Sequence, residues 1–96
     1  MELLQLQYFY EVAKRQHMTK AAEQLHISQP SLTQSIHRLE RELNVPLFRS
    51  SGRNIVLTEY GTYLKNRLEP ILQALAQLPE ELEEMAQISQ NHICVN

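Results

Sequence analysis

Residues 19–49 read TKAAEQLHISQPSLTQSIHRLERELNVPLFR, and the order of signals within this stretch decides the fold. Thr19 is an N-cap candidate, with Glu23 early in the turn that follows. The helix it predicts is short, about Lys20 to Leu25, with Ala21, Ala22 and Leu25 facing inward. His26-Ile27 leaves room only for a tight connection. Ser28 is the next N-cap, and Pro30 suits a first turn, where its missing N–H has no intrahelical partner. Leu32, Ile36, Leu39 and Leu43 then recur at spacings of 4, 3 and 4, the stripe of an amphipathic helix ending near Leu43. The opposite face presents Pro30, Gln34, His37, Arg38 and Arg41, with Ser31 and Thr33 on its flanks. One face is aliphatic; the other offers amides, hydroxyls and cations.

On the N-terminal side, Leu6, Phe9, Val12 and Ala13 share a face at helical spacing, which predicts a helix from about Leu4 to Arg15. On the C-terminal side, Val45-Pro46-Leu47-Phe48 ends the amphipathic helix. Arg49, the turn Ser50-Ser51-Gly52 and the run Arg53-Asn54-Ile55-Val56-Leu57 read as a hairpin whose tip carries two arginines. Thr58 caps a last helix reaching toward Gln87. Pro70 and Pro79 interrupt it, and a bend or break is expected near Leu75–Pro79. The fold class is therefore mainly all-α. Residues 1–58 form a winged helix-turn-helix of three helices and a two-stranded wing. Residues 59–90 form a long linker or dimerisation helix.

Composition excludes several classes. An apolar fraction of 43% and a charged fraction of 21% suit a globular protein. No apolar run approaches the roughly 20 residues that span a bilayer, and Glu2 makes the N-terminus unlike a signal peptide, so no membrane partner is expected and the compartment is the cytoplasm. A single cysteine, Cys94, forms no internal disulfide. The net charge of −2 is unevenly spread. Residues 1–58 hold seven Lys/Arg against five Glu, whereas residues 59–96 hold Lys65 and Arg67 against six Glu. The first part can face phosphate; the second should avoid it.

The outward face of the third helix has the chemistry of base recognition. A helix in the major groove puts its N-terminal residues on base edges. Gln29 and Gln34 can pair bidentately with adenine, Ser31 and Thr33 can donate or accept, and Pro30 or the Thr33 methyl can touch a thymine methyl. Arg38 lies where the helix leaves the groove and suits phosphate. Arg53 at the wing tip can reach the backbone or the minor groove; Arg49 can do the same or pair with Glu40 or Glu42. The hydroxyls of Thr19 and Ser28 are caps first, at helix N-termini that also attract phosphate. Periodicity alone equally allows a solvated polar face, or an exposed winged helix that binds a protein.

The run from Ala21 to Glu40, followed by Glu42-Leu43-Asn44-Val45-Pro46-Leu47-Phe48-Arg49 and then Arg53, Leu57-Thr58 and Gly61, resembles the signature of the LysR-type transcriptional regulators. The likeness covers residues 1 to about 90 without gaps. It implies sequence-specific binding of double-stranded DNA by a bacterial transcription regulator, with residues 28–43 as recognition helix and residues 49–56 as wing. It also implies a tetramer for the full-length protein; a homodimer paired through the last helix would read a palindromic site. Any small-molecule effector would be met through a separate C-terminal domain, and residues 91–96, with Ile93-Cys94-Val95 as a first strand, would begin it. Gln34 stands where the family often has arginine, which tilts readout toward adenine.

Leu64, Leu68, Ile71, Leu75, Leu78, Leu82 and Met85 are spaced 4, 3, 4, 3, 4 and 3, the heptad period of helices that pack on one another. The stripe either covers the chain's own core or forms a dimer seam, and the length of the helix favours the seam. His17, His26, His37, His92 and Cys94 match no zinc spacing, so neither metal nor cofactor is expected. With only Gly52 and Gly61 as glycines there is no phosphate-cradling loop, and no nucleophile–base set is evident; the chain is not expected to be an enzyme.

Overall fold

The computed structural model describes residues 1–93. Its elements are α1 (Leu3–Arg15), α2 (Met18–Leu25), α3 (Gln29–Leu43), β1 (Phe48–Ser51), β2 (Asn54–Leu57) and α4 (Glu59–Ile93). This is the expected winged helix-turn-helix with a long helix appended.

The core forms where the aliphatic stripes meet. Phe9, Val12 and Ala13 of α1, Ala21 and Ala22 of α2, and Leu32, Ile36 and Leu39 of α3 are buried together with Leu47 and Leu68. The two alanines let α2 approach both α1 and α3 closely, as a short helix with little area of its own must. Phe48 carries the packing into the wing, its ring 5.4 Å from that of Phe9. Helix ends are chemically closed. Ser28 Oγ accepts the Ser31 N–H, and Thr58 Oγ1 accepts the Gly61 N–H while donating to the Pro46 carbonyl. Gln16, His26 and Asn44 close α1, α2 and α3 in the left-handed conformation.

Four expectations change. Helix α2 begins two residues early, at Met18, and its N-cap is His17: the imidazole Nδ1 accepts the Lys20 N–H at 3.1 Å. Thr19 is already helical and its hydroxyl is used elsewhere. The hairpin turn is Gly52-Arg53, because Ser51 pairs with Asn54 and leaves a two-residue loop. Gly52 has φ +63°, the left-handed conformation that the first position of such a loop demands. Arg53 is therefore at the tip, while Arg49 lies back along β1 opposite Val56.

Helix α4 does not break. It is continuous through Pro70 and Pro79. Each proline removes one N–H and frees the carbonyl four residues before it. Both prolines are exposed, so water can take those carbonyls and the ladder resumes. The helix extends through Ile93, so residues 91–93 do not open a strand, and Cys94–Asn96 lie outside the described residues.

The heptad stripe divides between two environments. Leu68 is buried and Leu64 packs against the chain's own core, so the fold-back reading holds for the first turns of α4. Beyond them the stripe emerges: Ile71 is 54% exposed, Leu78 46%, Leu82 61% and Met85 66%. The helix is about 50 Å long at 1.5 Å per residue, within a molecule 62 Å in its longest dimension. The three-helix core covers only its beginning.

Candidate nucleic-acid interface

The stripe that buries α3 also aims its other face. With Leu32, Ile36 and Leu39 fixed in the core, Gln29, Pro30, Ser31, Gln34, His37, Arg38 and Arg41 are exposed, while Thr33 and Ser35 are half-buried at the margins. The base-reading candidates thus share the first turns of one helix face, and the cations follow along it.

Two of the predicted residues act on their neighbours. Ser28 Oγ accepts the Ser31 N–H at 3.2 Å and donates to Ser31 Oγ at 2.8 Å, so its hydroxyl is consumed in the cap. The Ser31 hydroxyl proton remains available. Thr19 Oγ1 donates to Gln29 Oε1 at 2.9 Å, linking α2 to the tip of α3. Neither hydroxyl is an unengaged group for a nucleic acid.

Glu40, which sequence reasoning offered only as a partner for Arg49, is the link between helix and wing. Its Oε2 accepts the N–H of Leu47 at 2.7 Å and of Phe48 at 3.2 Å. This ties the root of β1 to the last turn of α3. Only its position one turn before Asn44-Val45-Pro46 hinted at the role. The register then fixes the wing: Phe48 faces Leu57 and packs on the core with Ile55, which sends Arg49 to the other face.

The arginines of α3 and the wing are not spent on ion pairs among the described residues. Among the described residues the ion pairs are Met1–Glu42, Lys14–Glu11 and Arg15–Glu11, so Arg38, Arg41, Arg49 and Arg53 have no carboxylate within bonding distance. Glu42, on α3, is engaged by the terminal ammonium at 3.0 Å, which holds its carboxyl below the usual range. Arginines in the later turns of a polar helix face and on the wing beside it suit phosphates flanking a groove. Among the described residues no group of three His, Cys, Asp or Glu side chains could hold a metal ion, and no helix is long and apolar enough to cross a membrane.

The profile of the bacterial regulatory helix-turn-helix proteins of the lysR family matches residues 3–62, from the start of α1 into α4. The chain belongs to the LysR family. This LysR-family chain is 45% identical over 83 residues to the HTH-type transcriptional regulator YybE of Bacillus subtilis (strain 168), and spans 86% of itself but 28% of that relative. It is 54% identical over 61 residues to the HTH-type transcriptional regulator BudR of Klebsiella aerogenes, covering 64% of the chain and 43% of the relative. The chain thus spans less than half the length of these regulators. Its structure is similar to the DNA-binding domain of CbnR solved with DNA, with a TM-score of 0.79 and 36% identity over 90% of this chain and 99% of that one. It is similar also to that of BenM on catB site 1 DNA, with a TM-score of 0.83 and 34% identity over 90% and 96%.

Proposed function

We propose that the chain is the double-stranded-DNA-reading part of a bacterial transcription regulator, and not an enzyme. Helix α3 enters the major groove, with Gln29, Pro30, Ser31, Thr33 and Gln34 against base edges and Arg38 on phosphate. Arg53 at the wing tip, and Arg49 behind it, meet the backbone or the adjacent minor groove. The observation that carries this reading is the face of α3 opposite Leu32, Ile36 and Leu39. It is exposed, rich in amides and hydroxyls, and bordered by arginines with no carboxylate partner among the described residues. The similar CbnR and BenM domains were solved with DNA, which supports DNA binding by this fold.

Two copies join through Ile71, Leu75, Leu78, Leu82 and Met85, so that two α3 helices read the halves of a palindromic site. Such a module works in the compartment that holds the DNA, the bacterial cytoplasm. The relatives' greater length accommodates a further domain; a small-molecule effector would act through it, and it would raise the dimer to a tetramer.

The test is selection from a pool of random duplexes, followed by salt titration of the winning sequence. An enriched inverted repeat, with affinity falling steeply as salt rises, supports the reading, because phosphate contacts release counterions. Failure to enrich any sequence rejects it.

A further inference from the structure

Gln29 is the first residue of α3, exposed, and aimed where a recognition helix meets bases. A glutamine amide is ambiguous as a reader. Its oxygen accepts, its nitrogen donates, and a free amide swaps the two by rotating. With both atoms turned to one base it recognises adenine, whose N6 donates and N7 accepts. In this chain the amide is not free: the Thr19 hydroxyl donates to Gln29 Oε1 at 2.9 Å across ten residues of sequence.

Thr19 is suited to hold that oxygen. It sits in the first turn of α2, where no carbonyl of the same helix lies four residues behind to take its proton, and Gln29 Oε1 is the acceptor it finds. Once the oxygen is drawn toward α2, the two N–H protons of the amide are the part left to lead away from the protein. Beside it, Ser31 has its hydroxyl oxygen taken by Ser28 and its proton unspent. The tip of the helix is therefore biased toward donation at two neighbouring positions.

Resting on the DNA-reading role above, we propose that Thr19 is a positioning residue that sets the polarity of Gln29, making it a donor that reads acceptor edges. Guanine offers two such atoms in the major groove, O6 and N7, and thymine offers O4; cytosine offers only a donor there, and adenine pairs bidentately only with an amide whose oxygen is available. The base pair met by Gln29 is then a guanine or thymine on the contacted strand, with adenine disfavoured. Thr19 itself touches no base.

The experiment is duplex selection with the wild-type chain and with Thr19→Val, Thr19→Ser and Gln29→Ala, alongside the side-chain amide signal of Gln29 in 15N NMR spectra of the free protein. The base pair read by Gln29 is the one whose preference disappears in Gln29→Ala. Wild type should prefer guanine or thymine over adenine there by about tenfold. Thr19→Val, which keeps the shape and removes the hydroxyl, should reduce that preference to below about threefold and admit adenine, with a smaller change in affinity for random duplex than for the selected one. Thr19→Ser should restore it. The Gln29 amide signal should move in Thr19→Val and return in Thr19→Ser. An adenine preference in wild type overturns the proposal. So does an unchanged preference or amide signal in Thr19→Val, or an equal loss on selected and random duplex. If wild type enriches no sequence at all, the DNA-reading role itself falls and the proposal with it; if a Gln29-dependent base pair exists but ignores Thr19, only the proposal falls.

Discussion

Glu40 and Leu47 are joined across the junction of recognition helix and wing: the Leu47 N–H donates to Glu40 Oε2 at 2.7 Å, and the Phe48 N–H shares the same oxygen. Without the carboxylate, two partly buried N–H groups lose their acceptor. Glu40→Ala should therefore destabilise the fold by about 1–3 kcal/mol, the cost of unpaired polar groups, and Glu40→Gln by less, since its amide oxygen still accepts. Thermal unfolding followed by circular dichroism checks the order; an alanine variant as stable as wild type would show that the junction is held by packing alone.

Gly61 packs its Cα against the strand end, and a Cβ there would overlap the Leu47 carbonyl oxygen. Helix propensity says the opposite: alanine inside a helix is favoured over glycine by about 1 kcal/mol. The clash should win. Gly61→Ala is expected to lower stability by about 1–3 kcal/mol, as overpacking against fixed backbone does. A stabilised variant would mean that α4 can shift outward from Leu47.

Gln34 stands at the centre of the exposed face of α3. Gln34→Ala should weaken binding to the selected duplex by roughly 1–3 kcal/mol and relax preference at one base pair in each half-site. Competition with random duplex separates this from a general effect; equal losses on both would assign Gln34 to the backbone.

Arg53 shares the wing's two-residue turn with Gly52 and has no carboxylate partner among the described residues. Arg53→Ala should lower affinity for every sequence and reduce the log–log salt slope by about one. A slope equal to wild type would remove Arg53 from the phosphates.

The exposed stripe of α4 carries its charges unevenly. Lys65 and Arg67 stand near its start; Glu80, Glu81, Glu83 and Glu84 crowd its second half. Parallel copies would set the glutamates against one another, while antiparallel copies set them beside Lys65 and Arg67. Matching these groups puts the two-fold axis near Ala74–Leu75, with Ile71 opposite Leu78 of the second copy. In a Cys94→Ser background, Leu75→Cys should form an intermolecular disulfide readily and Leu82→Cys should not. Equal crosslinking at both would indicate a parallel pair, and sedimentation as a monomer at high micromolar concentration would dismiss the seam. Leu78→Glu should shift dimer to monomer without unfolding residues 1–58.

Where the sequence was legible, the reason was local chemistry. Ser28 and Thr58 read as caps because their hydroxyls reach a backbone N–H without tertiary help. The α3 stripe read correctly because its period has one helical meaning. The start of α2 was not legible: an imidazole cap is outside the usual set, and Thr19 imitates one. The heptad stripe was half legible, since periodicity states that a face is covered and not by what. Leu64 and Leu68 follow the same rule as Leu78 and Leu82, yet only the first two meet their own domain. Glu40 was hidden because its partners are backbone groups that the wing brings back, seven and eight residues on.

The two prolines leave α4 continuous, but each removes one rung of its hydrogen-bond ladder, so the long helix is a lever with two softened points. From Pro70 to Ile93 it runs about 35 Å at 1.5 Å per residue, so a ten-degree change at Pro70 moves the far end by about 6 Å. That is nearly two steps of a duplex whose strands rise about 3.4 Å per nucleotide. In an antiparallel pair the far end of one helix would lie beside the other copy's head, so about ten degrees of bending at Pro70 would change the span between the two reading heads by roughly one to two base pairs.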